Sequence, residues 1–198
     1  MTTTSAAVRG LALGSVFEQT LTRDGLSAAL AMLNATTPYR LTGVYRFEAD
    51  VVRSVVLFDR KNPHLTIGAD VPWMDSYCRL TAESGSRCEI RDALQDARLA
   101  THAAQAVVQA YVAVLLRAPD GSPLGTLCHY DLHPVTPPLG VFEDLDAVCP
   151  TIERALWAML KLAHVPRPTP ARALRASHAA KSRWTGVASR QMQRRNSG

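Results

Sequence analysis

Apolar side chains recur along this chain with two periods, and the changes between them divide it into elements. Leu26, Ala29, Leu30 and Leu33 stand at the three-and-four spacing of an amphipathic helix, with Asp24 before them as an N-cap. A helix is therefore predicted within Val16 to Ala35, ended by Thr37-Pro38. Two β-rich runs follow, Tyr39 to Glu48 and Val51 to Asp59, joined by Ala49-Asp50, the length of a tight hairpin turn. Arg60 to Ala69 reads as loop or broken helix, with Lys61, Asn62, Pro63 and Gly68. From Pro72 to Ser84, Trp73, Tyr77 and Leu80 recur at helical spacing, and Gly85 is placed to cap that helix.

Cys88-Glu89-Ile90 is a short strand, whereas Arg91 to Gln105 shows no clear period and reads as a loop with one helical turn at most. Val107 to Arg117 and Leu124 to Asp131 form the clearest hairpin, turning at Asp120-Gly121. After the Pro-rich connector His133 to Pro138, the residues Phe142, Leu145, Cys149, Ile152, Leu156, Met159 and Ala163 alternate steps of three and four. They predict a long last helix in which Pro150 introduces a kink over Asp146 to Pro150. This order of elements predicts an α+β fold, with helices on one face of a mostly antiparallel sheet and a loop-bounded cavity on the other.

Composition changes the picture at the C-terminus. The 198 residues carry a net charge of +5, but from Arg167 onward there are seven Arg, one Lys and no acid. Residues 1–166 hold 14 bases against 17 acids, so a slightly acidic body bears a basic tail. The apolar fraction of 47% is that of a globular chain and excludes a fibrous or wholly disordered one. No apolar run approaches 18 residues, and Met1 to Gly14 lacks the charge and cleavage pattern of a secretory leader, so a cytoplasmic protein that spans no membrane is expected. The four cysteines, Cys78, Cys88, Cys128 and Cys149, contain no CxxC pair and read as free thiols.

Four stretches then carry a family resemblance. They are Asp75-Ser76-Tyr77-Cys78-Arg79 with Glu83-Ser84-Gly85; Glu89-Ile90-Arg91-Asp92-Ala93 with Asp96-Ala97-Arg98-Leu99; Tyr111 to Leu116; and Gly125-Thr126-Leu127-Cys128-His129-Tyr130-Asp131. In this order and spacing the sequence resembles a GAF domain, the small-molecule-sensing relative of the PAS fold, over roughly Val16 to Leu162. One departure is Ala113 and Leu115, where the family more often shows Gly and Pro. The resemblance implies a GAF/PAS-like antiparallel sheet of five to six strands, with the terminal helices packed together on one face. On the other face it implies a ligand pocket roofed by Ile90 to Gln105 and the helix near Pro72 to Tyr77. Domain limits follow as an N-terminal extension over residues 1–15, the GAF domain over 16–164 and a basic tail over 165–198.

The resemblance implies a ligand-binding sensor that passes its signal through the terminal helices, without naming the ligand or a cofactor. The aromatics with a polar tip, Tyr45, Trp73, Tyr77, Tyr111 and Tyr130, suit such a pocket; plain core packing is the competing reading. Arg91 and Arg98 beside the roof can hold an acidic ligand, and His102 and His129 are imidazole candidates. Cys78 and Cys128 occupy the family's two usual cysteine positions and are candidates for redox chemistry, against a reading as inert buried thiols. No metal site is expected, because Cys128 and His129 point to opposite faces of a strand.

Free methionine-R-sulfoxide reductases are the family's enzymatic relatives and the alternative reading. Thr101, His102 and Gln105 stand where such enzymes place a catalytic cysteine and an acidic residue, so no catalysis is expected. A third reading is a dimeric nucleic-acid-associated regulator that binds through the basic tail around Trp184. The seam from Phe142 to Ala163 gives the expectation of a homodimer through the terminal helices, as in related GAF domains.

Overall fold

The structure is a computed structural model and describes residues 2–163. The expected basic tail, residues 165–198, lies outside the described residues. Two helices come first, α1 (Thr2–Asp24) and α2 (Leu26–Asn34), then the strands β1 (Leu41–Glu48), β2 (Val51–Asp59) and β3 (Val71–Pro72). A 3-10 turn at Trp73–Asp75 leads into α3 (Tyr77–Ser84), followed by β4 (Arg87–Ile90), β5 (Ala110–Arg117), β6 (Pro123–Asp131) and α4 (Val141–Ala163). The six strands form one antiparallel sheet in the order β3-β2-β1-β6-β5-β4, so the two hairpins meet where β1 pairs with β6 at the centre.

The predicted single first helix is two. Gly25 separates them with φ at +86°, a conformation open to glycine and strained for other residues, so the chain turns there and Asp24 is the last residue of α1 rather than a cap. Helix α1 runs through residue 15 without a break. The contact of α1 with α4 is made by small residues: Gly10 lies over Ala147, and a Cβ at Gly14 would stand 2.8 Å from the Ala147 carbonyl oxygen. Arg9 pairs with Asp144 across the same contact.

Helices α1, α2 and α4 cover one sheet face. Its core joins Phe17, Leu30 and Leu33 to Val44, Val112, Leu127, Leu145 and Ile152. The predicted α4 seam is spent largely here: Leu145, Ile152 and Leu156 are buried within the chain, while Met159 is half exposed. Helix α4 continues without interruption across Pro150. A second cluster fills the opposite face, where α3 packs with Tyr45, Phe47, Val52, Ile90 and Leu99. Among the described residues no helix is long and apolar enough to cross a membrane.

Candidate functional site

Strand alternation decides which side chains meet on the second face. Registration of β2, β1, β6, β5 and β4 aligns Leu57, Gly43, Cys128, Ala113 and Cys88 in one row across the sheet. The next row is Asp59, Leu41, Tyr130, Tyr111 and Ile90. Gly43, Cys128 and Ala113 in the first row of this floor carry small side chains or none, and of the three Cys128 lines the cavity above. Gly43 is required there: a Cβ would come within 2.7 Å of the Tyr45 ring, so the missing side chain is the space in which that ring lies. A bulge between Val44 and Tyr45 shifts the β1–β2 register at the same point.

Over this floor lies a cavity of about 730 Å³. Among the residues that line it are Tyr45, Tyr77, Tyr111 and Tyr130, Cys78 and Cys128, and aliphatic residues such as Leu57 and Val108. Burial pushes all four phenols above their ordinary pKa, so they stand as neutral donors at physiological pH. The Tyr45 and Tyr130 hydroxyls lie 3.0 Å apart, and Tyr77 donates to the Val108 carbonyl at 3.2 Å. Tyr111 donates to Cys78 Sγ at 3.5 Å, as does Thr126 at 3.1 Å. Among the described residues the wall has one cation, Arg40, and Asp59 neutralises it through contacts of 2.8 and 2.6 Å.

Of the residues singled out from the sequence, Tyr45, Tyr77, Tyr111, Tyr130, Cys78 and Cys128 line this cavity together. Trp73 stands outside it, edge-on to Phe47 with ring centroids 5.0 Å apart. Arg91 turns to Glu89, and Arg98 to Asp96 and the Glu89 carbonyl, so local acids hold both away from the wall. His102 packs on the Tyr77 ring behind the wall and accepts the Ala104 N–H at its Nδ1; burial and the Arg79 charge lower its pKa to about 4.

His129 corrects the expectation most sharply, since it points into the helix-covered face. There it is fully buried, 2.7 Å from the Thr42 hydroxyl and stacked on Tyr39. Asn34 donates to the same hydroxyl, and Arg60 holds Asn34 from outside. Burial and the Arg60 charge lower the His129 pKa to about 3. This is a structural clamp joining α2, β1 and β6. Among the described residues no group of three His, Cys, Asp or Glu side chains is placed to hold a metal ion.

The roof also differs from the expected one. Of Ile90 to Gln105 only Ala104 reaches the cavity, and the larger wall is the supposed loop between β2 and β3. Leu65, Ile67, Ala69 and Val71 alternate there and line the cavity, tied to β2 by the Leu57 N–H to Thr66 carbonyl bond at 2.8 Å. That alternation was the available signal, masked by the surrounding Lys61, Asn62, Pro63 and His64.

No protein-family profile matches this sequence, and no curated protein matches it. Solved structures do. The GAF domain of a phosphoenolpyruvate-protein phosphotransferase from Acinetobacter is similar with a TM-score of 0.63 and 10% identity, covering 79% of this chain and 98% of its own. A free methionine-R-sulfoxide reductase from Neisseria meningitidis, solved with its substrate, gives 0.58 and 14%, covering 80% and 93%. The phycocyanobilin-bound GAF domain of a cyanobacterial phytochrome gives 0.55 and 14%, covering 77% and 98%. Identities this low speak for architecture alone, and together with the six-stranded sheet, its covering helices and the cavity beneath α3 they show that this chain has the GAF-domain fold.

Proposed function

We infer that this chain binds an uncharged, largely apolar small molecule on the sheet face opposite α1 and α4, and that it works as a sensor module rather than as a catalyst. The observation that carries this reading is the cavity itself. Its volume of about 730 Å³ falls within the roughly 300–1,000 Å³ of small-molecule sites. Its charges disfavour an anion, because Arg40 is spent on Asp59 while Asp70 and Asp75 also stand on the wall. Specificity comes from the phenols. One hydrogen bond joins Tyr45 to Tyr130, so one of their two protons is left for an acceptor on the ligand. Leu65 and Ile67 at the mouth are 39% and 61% exposed, an apolar rim that a bound molecule would cover.

Nile red, a neutral apolar fluorophore, tests the reading. The full chain should bind it with a blue-shifted emission, and Val108→Trp, which places an indole in the cavity, should weaken or abolish binding while leaving the thermal transition in place. Equal binding by both proteins would refute the assignment. The competing reading, a reductase of free methionine sulfoxide, draws on the likeness to the Neisseria enzyme and on Cys78. It requires consumption of free methionine sulfoxide by purified protein with a thiol reductant.

A further inference from the structure

Cys78 collects more donors on its sulfur than a packing role needs. The Thr126 and Tyr111 hydroxyls both donate to its Sγ, at 3.1 and 3.5 Å. A neutral thiol sulfur is a weak acceptor, so donors converging on it are the surroundings of a thiolate. Cys78 is also the second residue of α3, whose start Ser76 caps, and the free N–H groups of that turn favour negative charge. Burial by itself pushes the thiol up, but the hydrogen bonds outweigh it and bring it to about 6.

Cys128 is held the opposite way. Burial first, and then the neighbouring Cys78, push its thiol well above the ordinary value. Its S–H donates to the Gly43 carbonyl at 3.6 Å, and it stands two residues from Thr126 on β6, whose hydroxyl reaches the Cys78 Sγ. The two residues share one buried cluster, with Cys78 held toward the thiolate and Cys128 toward the thiol. The remaining thiols are unlike them: burial raises Cys88 to about 11 and lifts Cys149 further. Both residues of the pair line the cavity although they are only 4% and 1% exposed. A reagent has to enter the cavity to reach them.

We propose that Cys78 and Cys128 form a peroxide-reactive dithiol site, in which Cys78 attacks and Cys128 resolves, with the cavity admitting the oxidant. The proposal rests on the reading of that cavity as open to small molecules and adds a class of reagent, hydrogen peroxide or a small organic hydroperoxide. In the first step the Cys78 sulfur attacks the terminal peroxide oxygen. An S–O bond forms as the O–O bond breaks, Cys78 becomes a sulfenic acid, and the departing oxygen leaves as water or an alcohol after taking up a proton. In the second step the Cys128 sulfur attacks the Cys78 sulfur. The S–O bond breaks, water leaves with the Cys128 proton, and a disulfide remains. Two thiols are oxidised by two electrons and one peroxide is reduced.

The test treats reduced full-chain protein with a small molar excess of hydrogen peroxide and maps its peptides without reduction. A Cys78–Cys128 linkage with Cys88 and Cys149 still alkylatable is the expected result. Cys128→Ser should stop at a sulfenic acid on Cys78 that dimedone traps, and Thr126→Val should slow the loss of the Cys78 thiol about tenfold, the effect of one lost hydrogen bond to a charged group. Cys149→Ser, remote from the cavity, should behave as wild type. First oxidation at Cys88 or Cys149, or a Cys78 thiol that survives the treatment, would overturn the proposal. Should Cys128→Ser fail to fold, the wild-type peptide map decides alone. Nile red binding separates the two readings: a disulfide without dye binding supports the dithiol site and removes the ligand reading, and dye binding without a disulfide does the reverse.

Discussion

The hydroxyls of Tyr45 on β1 and Tyr130 on β6 lie 3.0 Å apart on a cavity wall that is otherwise mainly aliphatic and aromatic. Each phenol satisfies the other, so deleting one strands its partner. Tyr45→Phe should lower stability by about 1 kcal/mol, the cost of a buried polar group that loses its hydrogen bond. Tyr45→Phe combined with Tyr130→Phe should cost less than the two single changes added together. Urea unfolding of the four proteins measures this. In the same series Nile red should bind about 3- to 10-fold more weakly to Tyr45→Phe if its acceptor uses the spare phenol proton.

Gly43 sets the position of the Tyr45 ring by having no side chain under it. Gly43→Val should therefore displace the ring toward the cavity and destabilise the fold by about 1–3 kcal/mol, the usual cost of overpacking. Thermal unfolding checks the second effect, and loss of Nile red binding with native far-ultraviolet circular dichroism checks the first.

Acid should weaken the fold well above the range in which carboxylates titrate. His129 remains neutral to about pH 3 and His102 to about pH 4, through burial first and then the charges of Arg60 and Arg79. The unfolded chain takes up a proton on each near pH 6.5. Between pH 6.5 and 4 the unfolded state holds more protons than the folded one, so stability falls as pH falls, by at most about 1.4 kcal/mol per pH unit for each histidine. His129→Gln, which keeps an amide near Thr42, should remove close to half of that slope. Urea midpoints at pH 7, 6, 5 and 4 give the comparison.

The α4 seam makes a graded prediction. Ile152→Ala and Leu145→Ala, at positions with no exposed surface, should each cost about 2–5 kcal/mol. Met159→Ala, half exposed on the same helix, should stay within about 0.5 kcal/mol. Denaturant midpoints distinguish a seam that builds the core of one chain from one reserved for a second copy, for which Met159 would matter as much as Ile152.

Where periodicity and packing coincide, the sequence was readable. The Leu26, Ala29, Leu30, Leu33 stripe is buried in α2, both hairpins fall at Ala49-Asp50 and at Asp120-Gly121, and Gly85 closes α3 with φ at +75°. The start of α1 was not readable, because its partner surface on α4 asks for small residues such as Gly10 and Gly14 rather than an apolar stripe. The β2–β3 wall hid its alternating Leu65, Ile67, Ala69 and Val71 among loop-like residues. His129 was legible in part: alternation along β6 already set it opposite Cys128, and both cannot face one cavity. Arg91 and Arg98 failed for a local reason, the acids Glu89 and Asp96 within two residues of each. Tyr45, Tyr77 and Tyr111 came together from three separate elements, and that convergence depends on strand register, which single positions in a sequence do not reveal.

Native mass spectrometry of freshly purified full-chain protein, beside Val108→Trp, tests the occupied cavity most directly. After incubation with Nile red the wild-type chain should carry one additional non-covalent mass, of the dye or of a co-purified molecule that excludes it. Denaturation should release that mass, and Val108→Trp should lack it. A wild-type chain that shows only its own mass under those conditions would contradict a ligand-binding function for this face of the sheet.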